Sequence, residues 1–263
     1  MTWLTSLPAA VLVVAGLALA LLVAIGGRLA VRALIPTAER DGAYAVTAPL
    51  MPALGAVFAL LMALTLASEA GFLASAQGIV SNEAADASRL AWAATSPGVD
   101  TAPIQSALLD YLQATRSNEW SGGAAANGED PATVHALANL ENTVRAQAAR
   151  TVIGTPASTE LLASLDALTS DRRDRLAAAS HQLPVLYVVV LVLTGVALIV
   201  NASALTLRSG RRSALLTGSL ASVIGLSLAL LFALGTPWRG AITVSGQPID
   251  SVTQGLNTGY FTP

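Results

Sequence analysis

Few residues in this 263-residue chain could do covalent or acid–base chemistry. The sequence has no Cys and two His, and all of its 14 basic residues are Arg. It therefore offers no thiolate nucleophile and no lysine for Schiff-base chemistry, and His135 and His181 lie too far apart for a paired metal motif. No glycine-rich phosphate loop, GxSxG elbow or HExxH motif occurs. We predict that the chain is not an enzyme and carries no metal or cofactor.

The most concentrated positive charge precedes a long apolar run. Arg172, Arg173 and Arg175 lie near a predicted membrane surface, where guanidinium groups could attract anions to a pore entrance. In the competing interpretation, the arginines pair with Asp171 and Asp174 and extend toward the interface. Because exposed ion pairs contribute little, the second interpretation is the simpler one.

A second candidate is an apolar helical face. Val57, Leu61 and Leu64 follow one another at helical spacing. Around a symmetry axis they could line a hydrophobic constriction that closes by dewetting. Every membrane span needs apolar residues, so an ordinary lipid-facing or packing surface is the simpler explanation of the pattern.

Small and amide side chains could serve helix packing. Gly218, Ser222 and Gly225 would let helix backbones approach closely, either within one subunit or between subunits. Asn201 could donate a hydrogen bond to a neighbouring helix. The sequence does not separate these alternatives.

The elements that must position these residues are membrane helices. Hydrophobic residues make up 54% of the chain and charged residues 11%, whereas soluble proteins average about 25% charged residues. Four charge-free runs reach the roughly 20 residues that a spanning helix needs. They cover residues 8–27, 44–67, 183–205 and 214–234. We predict an all-α integral membrane protein with four transmembrane helices and a long helical extramembrane insertion between the second and third spans.

Four segments follow from this layout. Residues 1–67 form the first helix pair, 68–182 the extramembrane domain, 183–236 the second pair and 237–263 a short tail. The extramembrane domain has 13 acids and seven bases, so its charge does not favour nucleic acid. The second helix continues beyond the membrane to about Ala94. In the tail, Trp238 is expected at the membrane interface, residues 241–245 alternate like a strand, and Ile249 and Val252 fit an amphipathic helix.

Arginine placement predicts the orientation. The first connection carries Arg28, Arg32 and Arg40, and the last carries Arg208, Arg211 and Arg212. Because cytoplasmic loops are enriched in basic residues, both short loops are predicted to face the cytoplasm. The termini and the extramembrane domain then lie on the outer face.

Three short stretches of the sequence, taken in their order along the chain, resemble those of a known family. They are YLQATRSNEW at 111–120, RRDRLAAASHQL at 172–183 and TPWRGAITV at 236–244. Together with the layout of two spans, a long helical insertion and two further spans, they resemble a bacterial family of bestrophin-like, multi-spanning membrane proteins. Bestrophins are pentameric anion channels with an apolar pore constriction, so the resemblance implies an oligomer with a central pathway in the bacterial inner membrane. Bestrophins keep the long segment and both termini in the cytoplasm, which is opposite to the orientation that the arginines predict.

Two hypotheses result. In the first, the protein is a homo-oligomer in the lipid bilayer with an anion pathway lined by the second span. In the second, it is a non-conducting structural or accessory protein whose helical outer domain docks onto a membrane protein partner.

Overall fold

The computed structural model describes residues 9–36, 40–120, 129–181, 183–206, 211–235, 238 and 242–262. The chain divides into two compact units. The first comprises Met1–Gly71, Gln182–Thr236 and Gly240–Ile242, and the second comprises Phe72–His181, Pro237–Arg239 and Thr243–Pro263. The prediction of an all-α membrane protein is confirmed, and in the described ranges no strand is present.

The first unit contains the membrane helices. These are α1 (Ala9–Leu34), the amino-terminal part of α2 (Arg40–Ala93), α6 (Val185–Leu205) and α7 (Arg211–Leu234). Within the described ranges, four helices are long and apolar enough to cross a membrane. Phe58 and Met62 of α2 pack in the core of this unit with Leu191, Ile199 and Ile224.

The second unit is a bundle around the remainder of α2. It adds α3 (Thr101–Ala114), a π-helical turn (Thr115–Glu119), α4 (Pro131–Ala148), α5 (Thr155–Ala179) and α8 (Gln247–Asn257). As predicted, α2 continues without a break, to Ala93. Its small buried side chains leave room for leucines of the neighbouring helices, which include Leu108, Leu140 and Leu168.

Local signals explain where these helices begin. Asp130 caps α4, since its Oδ1 accepts from the amides of Ala132 at 2.9 Å and Thr133 at 3.1 Å. Pro131 follows at the first helical position, where its missing amide donor is not needed. Gly98 has a φ of +84°, a left-handed conformation that suits glycine in the turn between α2 and α3.

The tail folds onto the second unit. Ile249 and Val252 of α8 are buried, as the amphipathic pattern predicts. The expected strand over 241–245 is wrong for residues 242–245, because side chains rather than a neighbouring strand take up the backbone groups. The Ser245 amide donates to Gln77 Oε1 at 2.7 Å, and Trp120 Nε1 donates to the Val244 carbonyl at 3.2 Å.

Trp238 does not face lipid in this fold. It is 8% exposed and packs in the core of the second unit. Its ring meets the ring of Trp120 edge to face, with centroids 5.2 Å apart. The ring therefore contacts protein and not the lipid headgroups that usually surround an interfacial tryptophan.

Candidate functional site

The second span carries an exposed apolar face. Val57 is 50% exposed and Leu64 61%, whereas Phe58 and Met62, on the opposite side, are buried. Leu61 is partly buried and packs against the core of the first unit. The structure thus places Val57 and Leu64 on one exposed face of α2, and Leu61 lies at the edge of that face.

Sequence reasoning missed one member of this face. Leu60 is 62% exposed and stands three residues after Val57 and four before Leu64. That spacing is typical of one helical face and was available from the sequence. We define the exposed α2 face by Val57, Leu60 and Leu64.

Small side chains flank the exposed α2 face. Ala56, Ala59, Ala63 and Ala67 are all exposed in the single subunit. Of the four candidate spans, that of α2 has the smallest buried share, 11% against 17–33% for the others. Small residues of this kind allow another helix to approach closely.

The start of the second span is braced by Asn201. Pro49 and Pro52 lie inside α2 and lack the amide donors that a continuous helix uses. The buried Asn201 side chain of α6 donates from Nδ2 to the Thr47 carbonyl at 3.0 Å. This bond ties α6 to α2 next to the two prolines, whereas the carbonyls that lose a helical amide donor are those of Ala45 and Ala48, four residues before each proline.

The predicted packing residues of α7 lie in different surroundings. A Cβ added at Gly225 would stand 2.6 Å from the Gly16 carbonyl oxygen of α1, so the two backbones are in close contact there. At Gly218 the nearest neighbour would be Leu21 Cδ2 at 4.0 Å. Ser222 donates to the Gly218 carbonyl at 2.9 Å within its own helix.

A buried charge cluster occupies the second unit. Arg175 donates to Glu83 Oε2 at 2.6 Å and to Glu119 Oε2 at 2.7 Å. Arg172 donates to the other oxygen of Glu119 at 2.7 Å, and the Tyr111 hydroxyl donates to Glu83 Oε1 at 2.6 Å. All five side chains are buried. Two guanidinium groups thus balance two carboxylates, which is the condition for keeping charges away from water.

This cluster changes the interpretation of the three arginines. Arg172 is 3% exposed and Arg175 2%, so neither presents its charge to solvent as an anion-attracting group would. Their partners are glutamates more than 40 positions away, not the neighbouring Asp171 and Asp174. Of the three, only Arg173 remains exposed, and it donates to the Thr169 carbonyl at 3.2 Å.

Burial and charge hold the cluster in one ionisation state. Burial, followed by the nearby Glu83 carboxylate, raises the pKa of Tyr111 well above its ordinary value. Burial alone would lower the pKa of Arg175, but Glu83 leads the attractions that outweigh it, and the pKa is raised. The guanidinium carbon of Arg175 also lies 5.4 Å from the ring centroid of Trp120.

A π-helical turn positions Glu119 and Trp120. Such turns carry one residue more than an α-helical turn and are frequent at functional sites. The turn also holds Arg116, which forms a bidentate pair with Asp250 of α8 at 2.6 and 2.9 Å. Sequence reasoning did not single out Glu83 or Glu119 as site residues. The signal for Glu83 was a lone acid on the otherwise apolar face of α2.

Chemically, the cluster neutralises charge and holds helices together. Its carboxylates are occupied by guanidinium and hydroxyl donors. In the described part of the chain, no three His, Asp or Glu side chains are arranged to hold a metal ion.

Comparisons with known proteins agree on the architecture. The crystal structure of a bacterial bestrophin homologue from Klebsiella pneumoniae matches with a TM-score of 0.72 at 13% identity, covering 95% of this chain and 99% of that chain. Structures of two mutants of a bacterial bestrophin homologue from the same organism match with TM-scores of 0.73 and 0.71, each at 12% identity and over 93% of this chain. These two matches extend over 97% and 99% of the length of the mutant chains, respectively. At such low identity, these matches establish the fold.

Among curated proteins, no sequence matches this chain significantly. The sequence model of the bestrophin-like domain, in contrast, matches residues 18–249, which is most of the chain. The chain therefore belongs to the bestrophin-like family.

Proposed function

We propose that the protein is a homo-oligomeric anion channel whose pathway is lined by the exposed α2 face. One observation carries the proposal: Val57, Leu60 and Leu64 are each at least 50% exposed in a span that packs little within its own subunit. Membership of the bestrophin-like family supports the same role. Around a symmetry axis, copies of this face form an apolar ring that holds water weakly.

The flanking alanines support an assembly of several copies. Because lipid tails are as apolar as leucine, helices in a bilayer associate through close packing rather than through apolar burial. Ala56, Ala59 and Ala63 provide such a surface beside the exposed α2 face. One side of α2 then faces the pathway and the adjacent side faces a neighbouring copy.

The charged groups are consistent with a channel rather than an enzyme. Arg172 and Arg175 are neutralised inside the second unit, so Arg173 is the member of the triplet that can act on ions in solution. Its guanidinium supports anion attraction at an entrance. No covalent chemistry is required for this role.

Chloride flux through liposomes tests the channel. The purified oligomer should pass chloride, and Leu64→Ala or Val57→Ala should raise the flux several-fold because a smaller side chain widens and wets the constriction. Leu193→Ala is the matched control, since Leu193 is 64% exposed on α6 and is expected to face lipid. It should leave the flux unchanged.

Two results would contradict the proposal. A folded oligomer that passes no ion under any gradient would exclude the channel. Flux that is unchanged by the α2 variants, or changed equally by Leu193→Ala, would exclude the exposed α2 face as its lining.

We further propose that the protein lies in the bacterial inner membrane with its extramembrane domain on the outer face. The arginines of the two short loops support this orientation. The chain has no Cys, so Ala138→Cys, on the exposed side of α4, provides a single probe. An impermeant thiol reagent should label it in intact cells. Labelling only after permeabilisation would place the domain in the cytoplasm.

A further inference from the structure

The adjoining ends of α1 and α7 carry positive charge that no acid on either helix balances. Arg28 and Arg32 lie in the last two turns of α1, and Arg211 and Arg212 are the first two residues of α7. Neither helix contains Asp or Glu. Arg32 is exposed and forms no ion pair with a residue that the structure describes. We call these four residues the helix-end arginines.

Contacts along α1 and α7 bring the helix-end arginines to one place. A Cβ added at Gly225 would stand 2.6 Å from the Gly16 carbonyl oxygen, and one added at Gly218 would stand 4.0 Å from Leu21 Cδ2. Residue numbers thus rise along α1 as they fall along α7, so the two helices run antiparallel. In this register, the end of α1 lies beside the start of α7.

The end of α6 lies between the same two helices. A Cβ added at Gly27, the residue before Arg28, would stand 3.4 Å from Val200 Cγ2 of α6. Directly after α6, Thr206 Oγ1 lies 3.1 Å from Thr217 Oγ1 of α7. This part of the chain therefore contacts α1 beside Arg28 and contacts α7 within two turns of its first residue.

Exposed apolar side chains adjoin the helix-end arginines. They are Ile25 and Leu29 of α1 and Leu215 and Leu216 of α7. Because α1 and α7 are long and apolar enough to cross a membrane, their ends lie in the headgroup region of the lipid. A ligand with a negative headgroup and hydrocarbon chains matches both the arginines and the apolar side chains, whereas a soluble anion matches the arginines alone.

We propose that the helix-end arginines bind the headgroup of an anionic phospholipid whose acyl chains lie along the exposed apolar side chains of α1 and α7. Guanidinium groups donate paired hydrogen bonds to phosphate oxygens, and basic pockets between membrane helices recognise anionic headgroups. Arg40 of α2 lies outside the site, because Glu39 and Asp41 flank it in the sequence. The site is distinct from the exposed α2 face and does not depend on ion conduction.

Lipid titration of the full-length protein in detergent tests the proposal. Phosphatidylglycerol is the probe, and native mass spectrometry counts the bound lipid. Arg32→Gln should weaken binding about fivefold, and Arg32→Gln combined with Arg212→Gln about 25-fold. Arg32→Lys should lose less than Arg32→Gln, because it keeps the charge. Arg150→Gln removes an exposed arginine of the second unit and is the matched control, which should bind as the wild type does.

Two further ligands separate charge from hydrocarbon in the wild-type chain, so this comparison stands even if a variant fails to fold. Phosphatidylcholine with the same acyl chains has no net charge and should bind at least about tenfold more weakly. Glycerol phosphate, the headgroup without acyl chains, should not displace the bound lipid at equal concentration.

Three results would overturn the proposal. Equal binding of phosphatidylcholine would show that acyl chains alone are recognised. Displacement by glycerol phosphate would identify a site for soluble anions. Unchanged binding in a folded double variant of Arg32 and Arg212 would exclude the helix-end arginines.

Discussion

The two units of the protein bury polar groups in different ways. In the first unit, Asn201 and Ser203 bond to backbone carbonyls, those of Thr47 and Ile199. In the second unit, charged side chains bond to one another, as Arg175 does to Glu83 and Glu119. Among the described buried polar side chains of the first unit, Glu69 alone carries a charge and the others are neutral, whereas the second unit pairs full charges with one another.

The surrounding medium explains this difference. A bilayer interior offers no water to polar groups, and burying a full charge there costs free energy. Neutral hydrogen-bond donors and close backbone contacts are therefore favoured in this unit. The Gly16–Gly225 contact is of that kind. Outside the bilayer, apolar burial drives packing, and a fully paired charge cluster can be accommodated within such a core.

Removing one carboxylate from the buried charge cluster should have the largest effect. Glu83→Gln takes away the negative charge 2.6 Å from Arg175 Nε and leaves a buried guanidinium undercompensated. Breaking a buried ion pair in this way destabilises by about 3–5 kcal/mol. Unfolding by denaturant, monitored by tryptophan fluorescence, should show this decrease in the free energy of unfolding of the second unit.

Glu129→Gln is the matched control. Glu129 accepts from Arg172 at 3.3 Å, but its side chain is 58% exposed. Water replaces most of that interaction, so the loss should stay below about 1 kcal/mol. Equal losses in the two variants would remove the distinction between buried and solvated charge pairs.

Close backbone contact in the first unit should give the next largest effect. Gly225→Ala places a Cβ 2.6 Å from the Gly16 carbonyl oxygen, which must move α1 away from α7. Overpacking of this kind destabilises by about 1–3 kcal/mol. The destabilisation is measured as a lower melting temperature, which is followed by the loss of the helical circular dichroism signal on heating in detergent.

Gly218→Ala, in the same helix, separates contact from helix propensity. Its nearest neighbour would be 4.0 Å away, so alanine fits without displacement. Replacing a mid-helix glycine by alanine stabilises by about 0.5–1 kcal/mol. If Gly218→Ala were as damaging as Gly225→Ala, close approach would not be the cause.

The smallest effect is expected at the brace of the second span. Asn201→Ala removes the donor to the Thr47 carbonyl, and such bonds between membrane helices contribute about 0.6 kcal/mol on average. Thr194→Ala is the control, because that hydroxyl donates to Val190 of its own helix at 2.7 Å. Melting of the first unit should be lower for Asn201→Ala and unchanged for Thr194→Ala. A larger effect at Thr194 would contradict the assignment of Asn201 as a brace.

Composition and spacing carry most of the fold. The spans need length and the absence of charge, and the continuation of α2 follows from the lack of proline between Pro52 and Pro97. Both properties are local, so they can be read along the chain. The exposed α2 face is local as well, although Leu60 was overlooked.

The buried charge cluster is not local. Glu83 meets Tyr111 and Arg175, which lie 28 and 92 positions away. Spacing along one helix carries no information about pairs between helices, so the nearby Asp171 and Asp174 looked like better partners for the arginines. The burial of Trp238 was not foreseen for the same reason, because its partner Trp120 lies on another element.

The π-helical turn at Thr115–Glu119 makes the cluster dependent on chain length as well as on residue type. Each helical residue advances the direction of the next by about 100°. A π-helical turn advances each residue by less than this, so the number of residues in the turn sets the directions in which Glu119 and Trp120 point toward Arg175.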